Sequence, residues 1–109
     1  MVFACLLSGC TALASKPAVV GCQAADTVTT LQGMERGARE VNPIVAGIFS
    51  LGGAAAFIAA KTGVTLLVLH YHAEISTGVL AAADVITCGA AIHNARVTAK
   101  LPPKPEKAL

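Results

Sequence analysis

The chain has no tryptophan, one tyrosine and three phenylalanines, and charged residues fill only 13% of its 109 positions. A nucleic-acid surface needs a dense basic patch with stacking aromatics. A net charge of +2 with so few rings does not supply one, which excludes nucleic acid as a partner. The sequence also lacks a CxxC pair, an HExxH, a phosphate loop, a GxGxxG and a Ser/His/Asp nucleophile arrangement, so no catalytic, cofactor-binding or metal-ligating residues are expected. His70 and His72 are two positions apart and would point to different sides of a helix, so they cannot clasp one metal. Cys5, Cys10, Cys22 and Cys88 are scattered through apolar sequence. No disulfide framework is expected from them, and Cys22 and Cys88 read as small buried hydrophobes.

What is plentiful is apolar sequence. Hydrophobic residues make up 55% of the chain and its mean hydropathy is +0.70. A chain this short leaves much of its surface exposed, so lipid is expected to cover the excess. From 43 to 73 the only formally charged side chain is Lys61. Fully helical, that run would be about 45 Å long, more than one upright span of about 30 Å needs. Gly52-Gly53 is the natural break, with 43–51 expected as a short interfacial helix and 53–71 as the span.

On either side lie two further helices. Ser15-Lys16-Pro17 reads as a helix start for 17–34, and Thr77 opens a span over 77–96 that is apolar except for Asp84, Thr87, His93 and Asn94. Cys22, Asp26, Thr30, Gly33 and Gly37 recur every three or four residues along the first helix and should form one stripe facing protein. Gly52, Ala56 and Ala60, and separately Ala83, Thr87, Ala91 and Ala95, form lines of small residues suited to close helix approach, within one chain or between copies. The expected fold is therefore all-α: a small integral membrane bundle of about three transmembrane helices plus the interfacial one. Residues 16–98 would form the bundle, 1–15 a signal-like leader and 99–109 a basic, proline-rich tail.

Within the leader, Leu7-Ser8-Gly9-Cys10 resembles a lipobox, which makes Cys10 a candidate lipidation site; Ala12-Leu13-Ala14 before Ser15 is a competing cleavage pattern. Counting Lys and Arg puts Arg36, Arg39, Arg96, Lys100, Lys104 and Lys107 on one side and Lys16 on the other. By the positive-inside rule the N-terminus lies outside a bacterial inner membrane and the C-terminus in the cytoplasm.

Asp26, Lys61 and Asp84 each fall inside an expected span, at depths a lysine side chain can bridge. Two accounts stay open: a structural ion pair that lets weakly apolar helices assemble, or an ion or proton relay. Glu40-Val41-Asn42-Pro43 likewise reads either as a ligand-binding turn or as plain helix-start chemistry, with Asn42 capping the helix that Pro43 begins.

The order Asp26-x-x-Thr29-Thr30, Gly37-x-x-Glu40-x-Asn42-Pro43, Lys61 and then Asn94 resembles a family of small prokaryotic multi-span membrane proteins catalogued only as a domain of unknown function. The resemblance covers about 24–98 and implies a compact helical bundle with no established activity. The expected role is that of a non-enzymatic structural or accessory subunit, alone as a homo-oligomer or inside a larger membrane complex. The alternative is a small transporter or ion-translocating unit built on Asp26, Lys61 and Asp84.

Overall fold

The computed structural model describes residues 10–38 and 42–102. The described residues are all-α: α1 is Cys10–Leu13, α2 Lys16–Glu35, α3 Pro43–His70 and α4 Thr77–Ala99, with a 3-10 turn at His72–Glu74 between α3 and α4. The Leu7-Ser8-Gly9 part of the lipobox, Glu40, and the tail beyond Pro102 lie outside the described residues, and so does the side chain of Cys10.

Each long helix begins where its sequence signals. Ser15 accepts from the Ala18 amide at 3.3 Å and donates to the Ala12 carbonyl at 2.7 Å, closing α1 onto the start of α2. Asn42 Oδ1 accepts from the Ile44 amide at 3.0 Å ahead of Pro43, and Ser76 Oγ from the Val79 amide at 3.2 Å. These side chains satisfy amide groups that the first helical turn leaves orphaned. At the other end of α2, Gly37 takes a positive φ of 88°. This lets the Ala38 and Gly37 amides reach back to the Gly33 and Met34 carbonyls at 2.9 and 3.1 Å, a left-handed glycine stop.

α3 is two helical halves joined at a kink. Gly52 (φ −157°, ψ 16°) and Gly53 (φ 65°, ψ −150°) leave helical geometry, and the second of these conformations is essentially restricted to glycine. Phe49 and Phe57 stack across the break with centroids 4.8 Å apart. Eight residues of straight helix would separate them by about 12 Å, so the two halves of α3 turn sharply toward each other at the place where the run is too long for one span.

α2 and α4 run parallel in a matched register: Cys22 lies opposite Cys88, Thr30 opposite Asn94, and Arg36 opposite Thr98. α3 is antiparallel to both, since Lys61 meets Asp26 while His72, just past its end, reaches Ala14, ahead of α2. Val19, Cys22, Thr30 and Gly33 are the buried face of α2, and Leu80, Ala81, Asp84, Ala91 and Thr98 that of α4. Of the small-residue line on α4, Ala91 lies in this buried face and Thr87 is half-buried, while Ala83 and Ala95 are exposed; the buried stripe runs through Asp84, Ala91 and Thr98. Size alone did not identify that face, because the side chains carrying the seam include polar ones.

Cys22 and Cys88 form a disulfide, with Cα atoms 4.8 Å apart. This corrects the expectation of two separate thiols. The parallel register brings together residues 66 positions apart, and nothing in their local spacing announces the pairing.

The buried core is small. Ala14, Val19 and Leu80 cluster where α1, α2 and α4 meet, with Val68, Leu69 and Ile75 against them. α3 buries only Phe57, while Leu51, Ile44, Ile86, Leu66 and Val79 are all largely exposed. Among the described residues two helices, α3 and α4, are long and apolar enough to cross a membrane. α2, which carries Gln23, Asp26, Thr27, Thr29, Thr30 and Gln32, is not one of them.

Candidate functional site

The site is a polar cluster in the middle of the bundle to which all three long helices contribute. α2 supplies Asp26, Thr29 and Thr30, whose spacing of three and four residues puts them on one face. α3 supplies Lys61, whose Nζ donates to Asp26 Oδ2 at 2.7 Å. From α4 comes Asn94, whose Nδ2 lies 3.3 Å from Asp26 Oδ1, 3.3 Å from Thr29 Oγ1 and 3.0 Å from Thr30 Oγ1. An amide nitrogen has two hydrogens, so three acceptors share two donors and the contacts are partly bifurcated.

Thr29 spends its own proton on the Ala25 carbonyl at 2.8 Å, which leaves its lone pairs for Asn94. Both oxygens of the Asp26 carboxylate are therefore engaged, one by a cation and one by an amide, and the pair carries no net charge. Neither member is sealed: the Lys61 side chain keeps 21% of its surface exposed and that of Asp26 15%.

Around the cluster the α2–α4 seam is layered. The disulfide lies one turn of α2 before Asp26. Beyond Asn94, α4 approaches so closely at Thr98 that a Cβ placed on Gly33 would lie 3.0 Å from its Oγ1. Arg36 closes this end by donating from Nη1 to the Thr98 carbonyl at 3.3 Å.

Of the charged trio singled out in the sequence, the structure joins Asp26 and Lys61 and leaves Asp84 apart. Asp84 is 3% exposed, and its Oδ2 has no hydrogen-bond partner among the described residues. It lies on α4 ten residues before Asn94, about 15 Å along the helix axis, which is why Lys61 reaches one acid and not both. Gly37, Asn42 and Pro43 serve the end of α2 and the start of α3.

The histidines go to different places. His70 packs edge-on against Tyr71, with ring centroids 4.7 Å apart. His72 Nε2 lies 2.6 Å from the Ala14 carbonyl, tying the α3–α4 turn to the α1–α2 turn, and His93 is exposed on α4. The residue whose part in the cluster the sequence understated is Asn94. Its signal was a lone amide in an apolar helix.

The model of a family described as a domain of unknown function (DUF5658) matches residues 18–99. No curated protein and no solved structure matches the chain. The matched segment holds the whole three-helix cluster and the disulfide, and the chain belongs to this family.

Proposed function

We propose that this member of the family is an integral protein of the bacterial inner membrane that acts without catalysis, as a structural or accessory subunit. The observation that carries this reading is the closed Asp26 carboxylate. With Oδ2 on Lys61 and Oδ1 on Asn94, the charges are used to fasten α2, α3 and α4 together, and charged residues inside a membrane characteristically pair in this way. The apolar side chains that α3 and α4 turn outward supply the surface for lipid and for partner helices, either a second copy or a larger complex.

The N-terminus and the turn at Tyr71 would lie outside and the basic ends of α2 and α4 in the cytoplasm, following the bias of Arg36, Arg96 and Lys100 toward one end. The Cys22–Cys88 disulfide supports an exported end, since such bonds form in oxidising compartments. Residues 1–15 would serve as a leader with Cys10 as its candidate lipidation site; the mass of the mature N-terminus tests this, and an intact Met1 rejects it.

The deciding experiment is purification in mild detergent, followed by identification of what co-purifies and reconstitution of the protein alone in liposomes. A stable complex or a defined oligomer with no ion flux is the expected result. Flux from the isolated protein would instead favour an ion- or proton-translocating unit. That second reading draws on Asp84, a buried acid whose Oδ2 has no partner among the described residues and which the fastening of the helices does not use.

A further inference from the structure

Ala12-Leu13-Ala14 reads in the sequence as a cleavage pattern ahead of Ser15, yet the fold builds it into the end of the bundle. Ala14 is 6% exposed and lies in one buried cluster with Val19 of α2 and Leu80 of α4, against which Leu69 of α3 and Ile75 also pack. Its carbonyl lies 2.6 Å from His72 Nε2. A carbonyl only accepts, so that ring nitrogen carries a proton and donates it. Two residues back, the Ala12 carbonyl accepts from the Ser15 amide at 3.2 Å and from the Ser15 hydroxyl at 2.7 Å. α1 itself packs against α4 as well as against α2.

A cut between Ala14 and Ser15 would undo all of these contacts together. Val19 and Leu80 would lose the side chain that packs on them, His72 would lose its acceptor, and the Ser15 hydroxyl would lose the carbonyl it donates to. The new α-amine would also put a positive charge at the start of α2, where the helix dipole already presents its positive end and disfavours a cation. A cut ahead of Cys10 removes none of them, because α1 and the turn that follows it stay whole.

We infer that the Ala14–Ser15 bond is not a processing site: residues 10–15 stay on the mature protein as a packed element that closes the Ser15/Tyr71 end of the bundle, latched by His72. This rests on the exported placement of that end proposed above. It goes beyond that reading by dividing the leader, so that the part from Cys10 onward belongs to the fold and only what precedes Cys10 is open to removal.

The full chain, expressed and purified from membranes, gives the test through its intact mass and its N-terminal peptide. A peptide that spans Ala14 and Ser15 is expected, whether the mature chain starts at Cys10 or upstream; a chain starting at Ser15 overturns the inference. An intact Met1 would sink the leader proposed above and still support this inference, so the two fail separately. Ala12→Gln provides a control, because Ala12 is exposed and the larger side chain breaks the small-x-small pattern without entering the core. Its mature mass should differ from wild type by the substitution alone, and a gain of whole residues would show that the bond is normally cut. The latch is read by proteinase K added on the Ser15/Tyr71 side, since such cleavage follows the population of the opened segment. His72→Ala should be cut between Cys10 and Lys16 roughly two- to ten-fold faster than wild type, the ratio that one net hydrogen bond supports. His72→Gln, which keeps an N–H to donate, should stay near wild type. Equal rates in all three proteins would show that His72 does not hold the segment and would overturn the latch.

Discussion

The two seams that α2 makes are built on opposite plans. Against α4 it has a disulfide, a close approach at Gly33 and Thr98, three contacts from Asn94 and a guanidinium on the Thr98 carbonyl. Against α3 it has one ion pair, a cleft beside it, and Val68 and Leu69 against the cluster that holds Val19. α3 is the most apolar of the helices, yet it buries a single residue. The difference teaches that apolarity does not decide which helix is held tightest. Where lipid competes for apolar side chains, helices are joined by small residues, polar contacts and covalent bonds, and those lie between α2 and α4.

The largest way to break this contrast is at the ion pair. Lys61→Met or Asp26→Asn alone leaves one charge unpaired, which typically costs about 3 to 5 kcal/mol for a buried pair. Either variant should be degraded or lose protease resistance. The double variant should recover much of the folded protein, and Lys61→Met combined with Asp84→Asn should not. A Lys61→Met protein as protease-resistant as wild type would mean the α2–α3 seam does not depend on the pair.

Next comes the covalent link. Cys22→Ala/Cys88→Ala should lower stability in detergent by about 2 to 4 kcal/mol, the usual range for closing a long loop. Reduction of the wild type should reproduce the loss, and thiol counting before and after reduction checks that the bond is present. Asn94→Leu is the third probe. It strips Asp26 and two threonines of a shared donor and should cost about 1 to 2 kcal/mol, measured as a lower thermal midpoint. The smallest effect belongs to Gly33→Ala, where the new methyl meets Thr98 Oγ1 at 3.0 Å. A cost of about 1 kcal/mol is expected for such overpacking, and Gly33→Ala/Thr98→Ala should restore stability.

How much of this could be read from the sequence differs between the same two seams. The helix starts at Ser15 and Asn42, the opening of α4 at Thr77 and the break at Gly52-Gly53 follow from local chemistry, and the stripe from Cys22 to Gly33 follows from helical periodicity, although Gly37, expected to extend it, lies past the end of α2 and is exposed. The charge pair was narrowed to Lys61 with one of two acids, because charges in apolar helices have few places to go. What could not be read is register. Spacing within α2 and within α4 does not say that residues about 62 to 68 positions apart stand side by side, and both the disulfide and the separation of Asp84 from Lys61 depend on that alignment. Three spans were expected where two helices qualify, because α2 carries enough polar side chains along its length that its neighbours, and not its own composition, give it a place.

The parallel register of α2 and α4 also has a consequence in time. A ribosome adds about 5 to 20 residues per second. Asp26 is therefore made roughly 2 to 7 s before Lys61, 35 residues later, and roughly 3 to 14 s before Asn94, 68 residues later. Throughout that interval α2 exists with its carboxylate unanswered and its cysteine without a partner. Its packing is a waiting step, completed only when α4 arrives.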